Sequence, residues 1–265
     1  MPVLSLLTDF GTQDGFVGVM KGVIWTICPE VQIADISHQI KPQNVMQGAM
    51  TLWRVAPFFA AGSVHVAVVD PGVGTKRRAI AAQLGTQFYV APDNGLLTPL
   101  IRDAESERLP IKFVNLDNPD YWLNDITSTF HGRDIFAPVG AHLAAGAPLE
   151  KLGTPMDDPV LLSWSKPQKT DFGWETHITA IDVFGNIRTD LRADQIADMQ
   201  PVIVRILDRE IDGLVSSYGH REPGNLIALV DSEGYIEVAI VNGNAAHALN
   251  AKTGDVVEVL SKPVL

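Results

Sequence analysis

The sequence predicts two domains of different class: an α/β N-terminal domain with a largely parallel central sheet over residues 1–164, and a C-terminal all-β barrel domain over residues 165–265. Three observations carry this. Residues 1–145 alternate short apolar runs with segments whose apolar side chains recur at helical spacing, the pattern of strands joined by crossover helices. Residues 153–175 lose that periodicity and are rich in Pro, Asp, Ser, Lys and Trp, which suits a linker. Beyond them, strand-like runs are separated by Gly, Asn, Asp and Pro turns, as in a small, mostly antiparallel barrel or sandwich.

In the first domain, Val3 to Leu7, Val31 to Ile36, Val64 to Val69 and Phe88 to Ala91 read as buried strands. Phe16, Val19, Met20, Val23, Ile24 and Ile27 define a first helix, and Val45, Met46, Ala49, Met50 and Trp53 a second. Ile135 to Ala145 reads as a third. Each early strand ends in loop chemistry: Thr8-Asp9-Phe10-Gly11, then Asp70 to Thr75, then Pro92-Asp93-Asn94-Gly95. In open α/β sheets, loops at the carboxyl ends of strands hold ligands. In the second domain the expected strands are His177 to Asp182, Val202 to Leu207, Leu226 to Val230, Tyr235 to Val241 and Val256 to Leu260.

Composition narrows the class of function. The 265 residues are 46% apolar, enough for substantial cores, and the net charge of −11 argues against gripping a nucleic-acid backbone or an anionic membrane. A small-molecule partner is the better expectation. The strand-like start at Val3, with no basic region, long apolar run or cleavage pattern, leads us to expect no signal peptide, no membrane span and a cytoplasmic location. The single cysteine, Cys28, excludes an intrachain disulfide and a cysteine-rich zinc site, and its place at the apolar end of a helix points to a structural role. None of the seven histidines forms an HxH or HxxxH pair, so no metal site is expected. Gly72-Val73-Gly74 is half a dinucleotide fingerprint, but basic residues and a strand-like run follow it where a helix would be needed. There is no phosphate loop and no GxSxG elbow.

The sharpest candidate is the stretch Val68 to Arg77, where an apolar strand stops on Asp70, passes a Gly-rich turn and reaches a guanidinium. Phe130-His131-Gly132-Arg133-Asp134 places an imidazole just ahead of a helix. Together Asp70, Arg77 and His131 have the chemistry to hold and polarise a water molecule, although Asp70 also suits a turn cap, with Arg77 and Arg78 in solvent. Asp9 is either a ligand-binding carboxylate or a cap for the helix beginning near Gly15. Asp182 and Asn186 flank a glycine turn that is either a binding loop or an ordinary hairpin. Ser232-Glu233-Gly234 and Asn242-Gly243-Asn244-Ala245-Ala246 carry the same two readings.

In order and spacing these motifs, with Asp35-Ile36-Ser37-His38, resemble the S-adenosyl-L-methionine (SAM) hydroxide adenosyltransferases, or SAM hydrolases, over essentially the whole chain. The resemblance implies cleavage of SAM by water into adenosine and L-methionine, with SAM as substrate and no cofactor. It implies a catalytic set at Asp70, Arg77 and His131 and a ribose contact at Asp9. Asp182, Asn186, Ser232, Glu233 and Asn244 fall at positions around the methionine and adenine ends, and Glu237 also fits the pattern. It further implies a homotrimer whose sites lie between the N-terminal domain of one subunit and the C-terminal domain of its neighbour. Related SAM-dependent halogenases use fluoride or chloride, but the fluoride enzyme carries a tyrosine at the position of Asp70 and a tyrosine-serine pair in place of His131-Gly132. A non-catalytic SAM or nucleoside sensor is the reading from outside enzymology. The reaction itself needs little help at the leaving group, a neutral thioether, so orienting the water should dominate.

Overall fold

The computed structural model describes residues 1–163, 166–199 and 201–262. The chain forms two units, Met1–Leu162 and Ser163–Leu265. The first runs β1 (Val3–Thr8), α1 (Phe16–Ile27), β2 (Gln32–Ser37), α2 (Val45–Val55), β3 (Val64–Val68), β4 (Ala79–Leu84), β5 (Gln87–Pro92), α3 (Thr98–Ser106), β6 (Ile111–Asn115), α4 (Ala137–Ala144) and β7 (Thr154–Met156). Its seven strands lie in the order β2-β1-β3-β5-β4-β6-β7. The first four are mutually parallel; β4, β6 and β7 add an antiparallel flank. The antiparallel part begins with the strand-like run after Arg78, which returns through Gly85-Thr86 as a tight hairpin onto β5.

Strand alternation gives the sheet two apolar faces. Leu4, Leu6, Val64, Val66 and Val68 pack against Val17, Met20 and Ile24 of α1 and against α4. Leu7, Ala67 and Val69 share a core with Leu52 of α2 and with Leu100, Ile101 and Ala104 of α3. Consecutive crossovers thus lie on opposite faces, and the chain reverses its direction of winding between β1 and β3, a topological switch point. In register, Thr8 pairs with Val68, so Asp9 and the Val69-Asp70 pair leave the sheet side by side there.

Three expectations are corrected. Residues 154–162 are not linker: β7 pairs with β6, and the Val160 N–H donates to the Asp93 carboxylate at 2.7 Å. Arg78 does not face solvent freely, because its guanidinium binds Asp93 and Asp158. The helix expected from Ile135 starts as an α-helix only at Ala137, after a π-helical turn over Gly132–Phe136. Cys28 is buried beneath α1.

The second unit contains β8 (Gln168–Thr170), β9 (Gly173–Ile181), β10 (Ile187–Arg192), β11 (Val202–Ile206), β12 (Arg209–Asp212), β13 (Leu226–Val230), β14 (Tyr235–Ile240), the short helix α5 (Ala245–Leu249) and β15 (Val256–Ser261). The antiparallel order β12-β11-β15-β9-β10-β14-β13 curls until Val215, just past β12, bridges to Leu229 of β13. The sheet is a nearly closed barrel around Ile178, Ile187, Val204, Val238 and Val257. Among the described residues no helix is long and apolar enough to cross a membrane.

The packing of α4 yields a test. A Cβ on Gly140 would lie 2.3 Å from Val66 Cγ2, so the helix approaches β3 through a bare backbone. Gly140→Ala should lower the unfolding free energy by about 1–3 kcal/mol, the usual cost of overpacking, in urea denaturation. Unchanged stability would show that α4 slides freely over the sheet.

Candidate active site

β3 delivers Asp70 to the rim of the sheet, and the turn beyond it folds back on itself. The Val73 N–H donates to the Asp70 carbonyl, and the Thr75 N–H and hydroxyl to the Gly72 carbonyl. Gly74 has φ +75°, and a Cβ there would sit 2.2 Å from the Ser128 carbonyl oxygen. Only glycine lets this turn lie against the 123–131 loop. Arg77 is thereby aimed inward.

Its guanidinium makes the central contacts. Nε donates to Asp70 Oδ1 at 3.1 Å and Nη2 to Asp70 Oδ2 at 2.5 Å, while Nη1 donates to the Arg78 carbonyl at 3.0 Å. The Asp70 and Arg77 side chains are only 4% and 8% exposed. Nη2 also lies 3.1 Å from His131 Nδ1, and the Arg77 cation sits 5.3 Å from the centre of the buried Phe136 ring. The structure therefore brings Asp70, Arg77 and His131 together.

Donor logic sets the imidazole. A guanidinium has only N–H donors, so Nδ1 must accept and the ring proton of neutral His131 belongs on Nε2. Burial, then the Arg77 charge, hold the His131 pKa below the ordinary value, against the charges of Asp70 and Asp134 and a hydrogen bond to the Thr127 backbone. Burial pushes Asp70 above the usual carboxylate value, although the Arg77 charge and hydrogen bonds pull it down. The group is a more basic carboxylate than an exposed one.

These side chains border a cavity of about 410 Å³ lined by Asp70, Val73, Thr127, Phe130, His131 and Arg133, with Phe10 and Phe16 alongside. Phe10, Phe16 and Phe130 meet edge to face. Gly132 leaves room for this cluster: a Cβ there would be 3.2 Å from both Phe10 and Phe130. Asp134, absent from the sequence-based candidates, anchors the loop. It is fully buried and accepts from the Thr127 N–H at 2.8 Å, the Thr127 hydroxyl at 2.7 Å and Arg133 Nε at 2.5 Å. Burial raises its pKa, but the hydrogen bonds from Arg133 and Thr127 outweigh it and leave the carboxyl below its ordinary value.

Asp9 is not the cap of α1. That helix has Gly15 as its N-cap residue and no side-chain cap, whereas Asp9 Oδ2 accepts from the Gln43 N–H at 2.7 Å. The Pro92–Gly95 motif is scaffold: Asn94 donates to the Val69 carbonyl at 2.8 Å and Asp93 receives Arg78 Nε at 2.8 Å.

The remaining candidates belong to the second unit. Asp182 organises the β9–β10 loop, accepting from the Phe184 and Asn186 N–H groups and from the Asn186 side-chain amide. The tip of that loop leaves Val183 92% and Phe184 71% exposed. Asn244 caps α5 through the His247 N–H and packs against Gly185. Ser232 is exposed in the β13–β14 turn. Glu233 accepts from Arg188 Nη2 at 2.6 Å, and Glu237 from the Tyr218 hydroxyl at 2.6 Å. Burial holds Glu237 above the usual carboxylate range; the Tyr218 bond opposes this, and the charges of Asp182 and Asp231 reinforce it. Arg188 and Tyr218 were not anticipated. Arg188 is buried, pairs with Asp231 and Glu233, and lies 4.3 Å over the Tyr235 ring. Its only signal in the sequence is a charge in an otherwise strand-like segment two residues past Asn186.

Comparison with known proteins matches the SAM hydroxide adenosyltransferase N-terminal domain to residues 4–153 and the corresponding C-terminal domain to residues 176–258. An (R)-S-adenosyl-L-methionine hydrolase of Salinispora tropica is 38% identical over 257 residues, covering 96% of each chain. One of Methanocaldococcus jannaschii is 35% identical, covering 98% of this chain and 96% of its own. A fluorinase of Actinopolyspora mzabensis is more distant, 28% identical over 97% of both. Among solved structures, an uncharacterized conserved protein from Thermotoga maritima superposes with a TM-score of 0.89 at 34% identity, covering 97% of this chain and 99% of that one.

The Asp134 anchor is testable. Asp134→Ala should cost about 1–3 kcal/mol at neutral pH by stranding buried donors. A carboxylate whose folded pKa is depressed stabilises the fold above its unfolded value, about 3.9, and that contribution fades as pH falls through the folded value. Denaturation across an acidic pH series should therefore show a shallower acid loss in Asp134→Asn than in wild type. Identical slopes would remove the anchoring role.

Proposed function

The chain belongs to the SAM hydroxide adenosyltransferase family, and we propose that it hydrolyses S-adenosyl-L-methionine to adenosine and L-methionine by attack of water on the ribose C5′. The observation that carries the mechanism is the single guanidinium of Arg77 holding both Asp70 and His131 at the wall of a cavity. The relatives' names specify the R sulfonium, and we take that epimer as the substrate.

The water oxygen forms a bond to C5′ as the C5′–S bond breaks, and the bonding pair leaves with sulfur. Methionine departs as a neutral thioether, so no acid and no metal is required at the leaving group. A water proton passes to Asp70, whose burial raises its basicity. His131 is a poor acceptor, because Nδ1 is engaged by Arg77 and Nε2 carries the proton. It serves as a hydrogen-bond donor and holds the guanidinium. Alignment of water with the departing sulfur contributes roughly 7–11 kcal/mol, more than the 10²–10⁴-fold expected of one general base.

In the second unit, Asp182, Glu233 and Glu237, with Asp231, supply negative charge suited to a substrate carrying a sulfonium and an ammonium. We assign Asp182, Asn186, Ser232, Glu233, Glu237 and Asn244 to the methionine and adenine ends, and Asp9 to the ribose hydroxyls. The active assembly is a homotrimer in the cytoplasm, each catalytic cavity being completed by the second unit of a neighbouring copy.

Incubation with SAM in ¹⁸O-water should release methionine and adenosine labelled at the 5′-hydroxyl. A 5′-haloadenosine formed in preference with added halide would favour the halogenase alternative, and intact SAM would leave only a sensor. Asp70→Ala should lower kcat by about 10²–10⁴-fold, with adenosine binding largely kept. In wild type, kcat/KM should fall toward acid as Asp70 gains its proton, with the limb above the ordinary carboxylate value of about 3.9. A rate independent of pH across that range would eliminate Asp70 as the base. Mixing Asp70→Ala with Asp182→Ala subunits should restore part of the activity if sites are shared between copies; no recovery in co-expressed, mixed oligomers would place each site within one subunit.

A further inference from the structure

The segment Asp35-Ile36-Ser37-His38 takes no part in the reaction described above, yet Asp35 and His38 connect to Thr8, next to Asp9. Lys21 Nζ binds Asp35 Oδ2 at 2.6 Å, and His38 Nε2 faces Asp35 Oδ1 across 3.1 Å in a bent, mainly electrostatic contact. On the other side of the ring, His38 Nδ1 lies 2.9 Å from the Thr8 hydroxyl. Thr8 Oγ1 in turn accepts from the Phe10 N–H at 3.2 Å, and the Gly11 N–H donates to the His38 carbonyl at 2.8 Å.

Carboxylate, imidazole and hydroxyl in this order are the arrangement that activates nucleophiles in hydrolases. Burial decides against that use. Thr8 is 0% exposed and His38 6%, so no substrate carbonyl reaches the oxygen. One assignment of protons satisfies every contact: Phe10 N–H to Thr8 oxygen, Thr8 O–H to His38 Nδ1, and the ring proton on Nε2, 3.1 Å from Asp35. Such a chain spans β2 and β1 and ends on the backbone of the Asp9–Phe10 turn.

We propose that Asp35, His38 and Thr8 are positioning residues that fix the Asp9–Phe10 turn for the ribose end of the substrate; this rests on the assignment of Asp9 to the ribose hydroxyls. Two structural facts link the turn to the site. Phe10 lines the cavity, and the Asp9 carboxylate beside it accepts from the Gln43 N–H. The turn is thus held by contacts to Thr8, His38 and Gln43.

The test compares binding of adenosine and 2′,3′-dideoxyadenosine by calorimetry to wild type, Thr8→Val and Thr8→Ser. Thr8→Val removes the hydroxyl at nearly constant volume and should weaken adenosine by about tenfold, the size of one lost hydrogen bond. It should leave the dideoxy ligand almost unaffected, and Thr8→Ser should bind adenosine as wild type does. A merely structural role would weaken both ligands alike. Equal losses for the two ligands, unaltered adenosine binding in Thr8→Val, or a wild type that binds neither ligand overturns the proposal. Should Thr8→Val fail to fold, Asp35→Asn perturbs the half-exposed end of the same chain and should shift adenosine binding selectively in the same direction. Turnover of SAM by wild type is measured separately, so that a failed hydrolase reading and a failed positioning role are told apart.

Discussion

Arg77 constrains nearly everything around it. A guanidinium taken out of water needs its donors filled, and here they go to both Asp70 oxygens, to His131 and to a backbone carbonyl. Breaking such a pair by removing one partner costs about 3–5 kcal/mol, because the other charge is stranded. The neighbouring structure is shaped accordingly. β3 must end where it does to put Asp70 at the rim, Gly74 must be bare for its turn to reach the Ser128 carbonyl, and Phe136 must lie under the cation. Asp134 then ties down the loop that brings the imidazole.

The second unit uses the same device with the opposite emphasis. Arg188 is a buried cation within an acidic group, paired with Asp231 and Glu233 and stacked on Tyr235. It partly neutralises carboxylates that would otherwise repel one another, while the charges of Asp182 and Asp231 still raise the Glu237 pKa beyond what burial does. One unit thus concentrates a basic carboxylate beside an apolar cavity. The other concentrates acceptors and negative charge.

Much of the fold was legible because its core segments have plain periodicity. Leu4, Leu6 and Leu7, or Met20 and Ile24, announce their elements through spacing alone. β10 and β12 were not legible, since Arg188, Asp190, Arg209 and Asp212 look like turn or surface chemistry until cross-strand partners are known. The same limit governed single residues. Arg78 looked solvent-facing because Asp158 is eighty positions away, and the cap reading of Asp9 stayed open beside the ligand reading because Gln43 lies thirty-four positions downstream. The trio Asp70, Arg77 and His131 was legible as chemistry. What the sequence could not convey was the guanidinium contact at Nδ1, which leaves that nitrogen of His131 to accept.

The π-helical turn at Gly132–Phe136 bears on how this site can change over time. Its wide ring is closed by the Ala137 N–H on the Gly132 carbonyl, one residue more than an α-helix would span. Losing that extra residue would regularise the helix and swing the segment ahead of it through about 100°, the angle of one helical step. His131 and Phe130 would leave the cavity wall together. The imidazole is therefore guarded by chain register as well as by side-chain identity: single substitutions can explore the chemistry here, but a one-residue deletion dismantles it at a stroke.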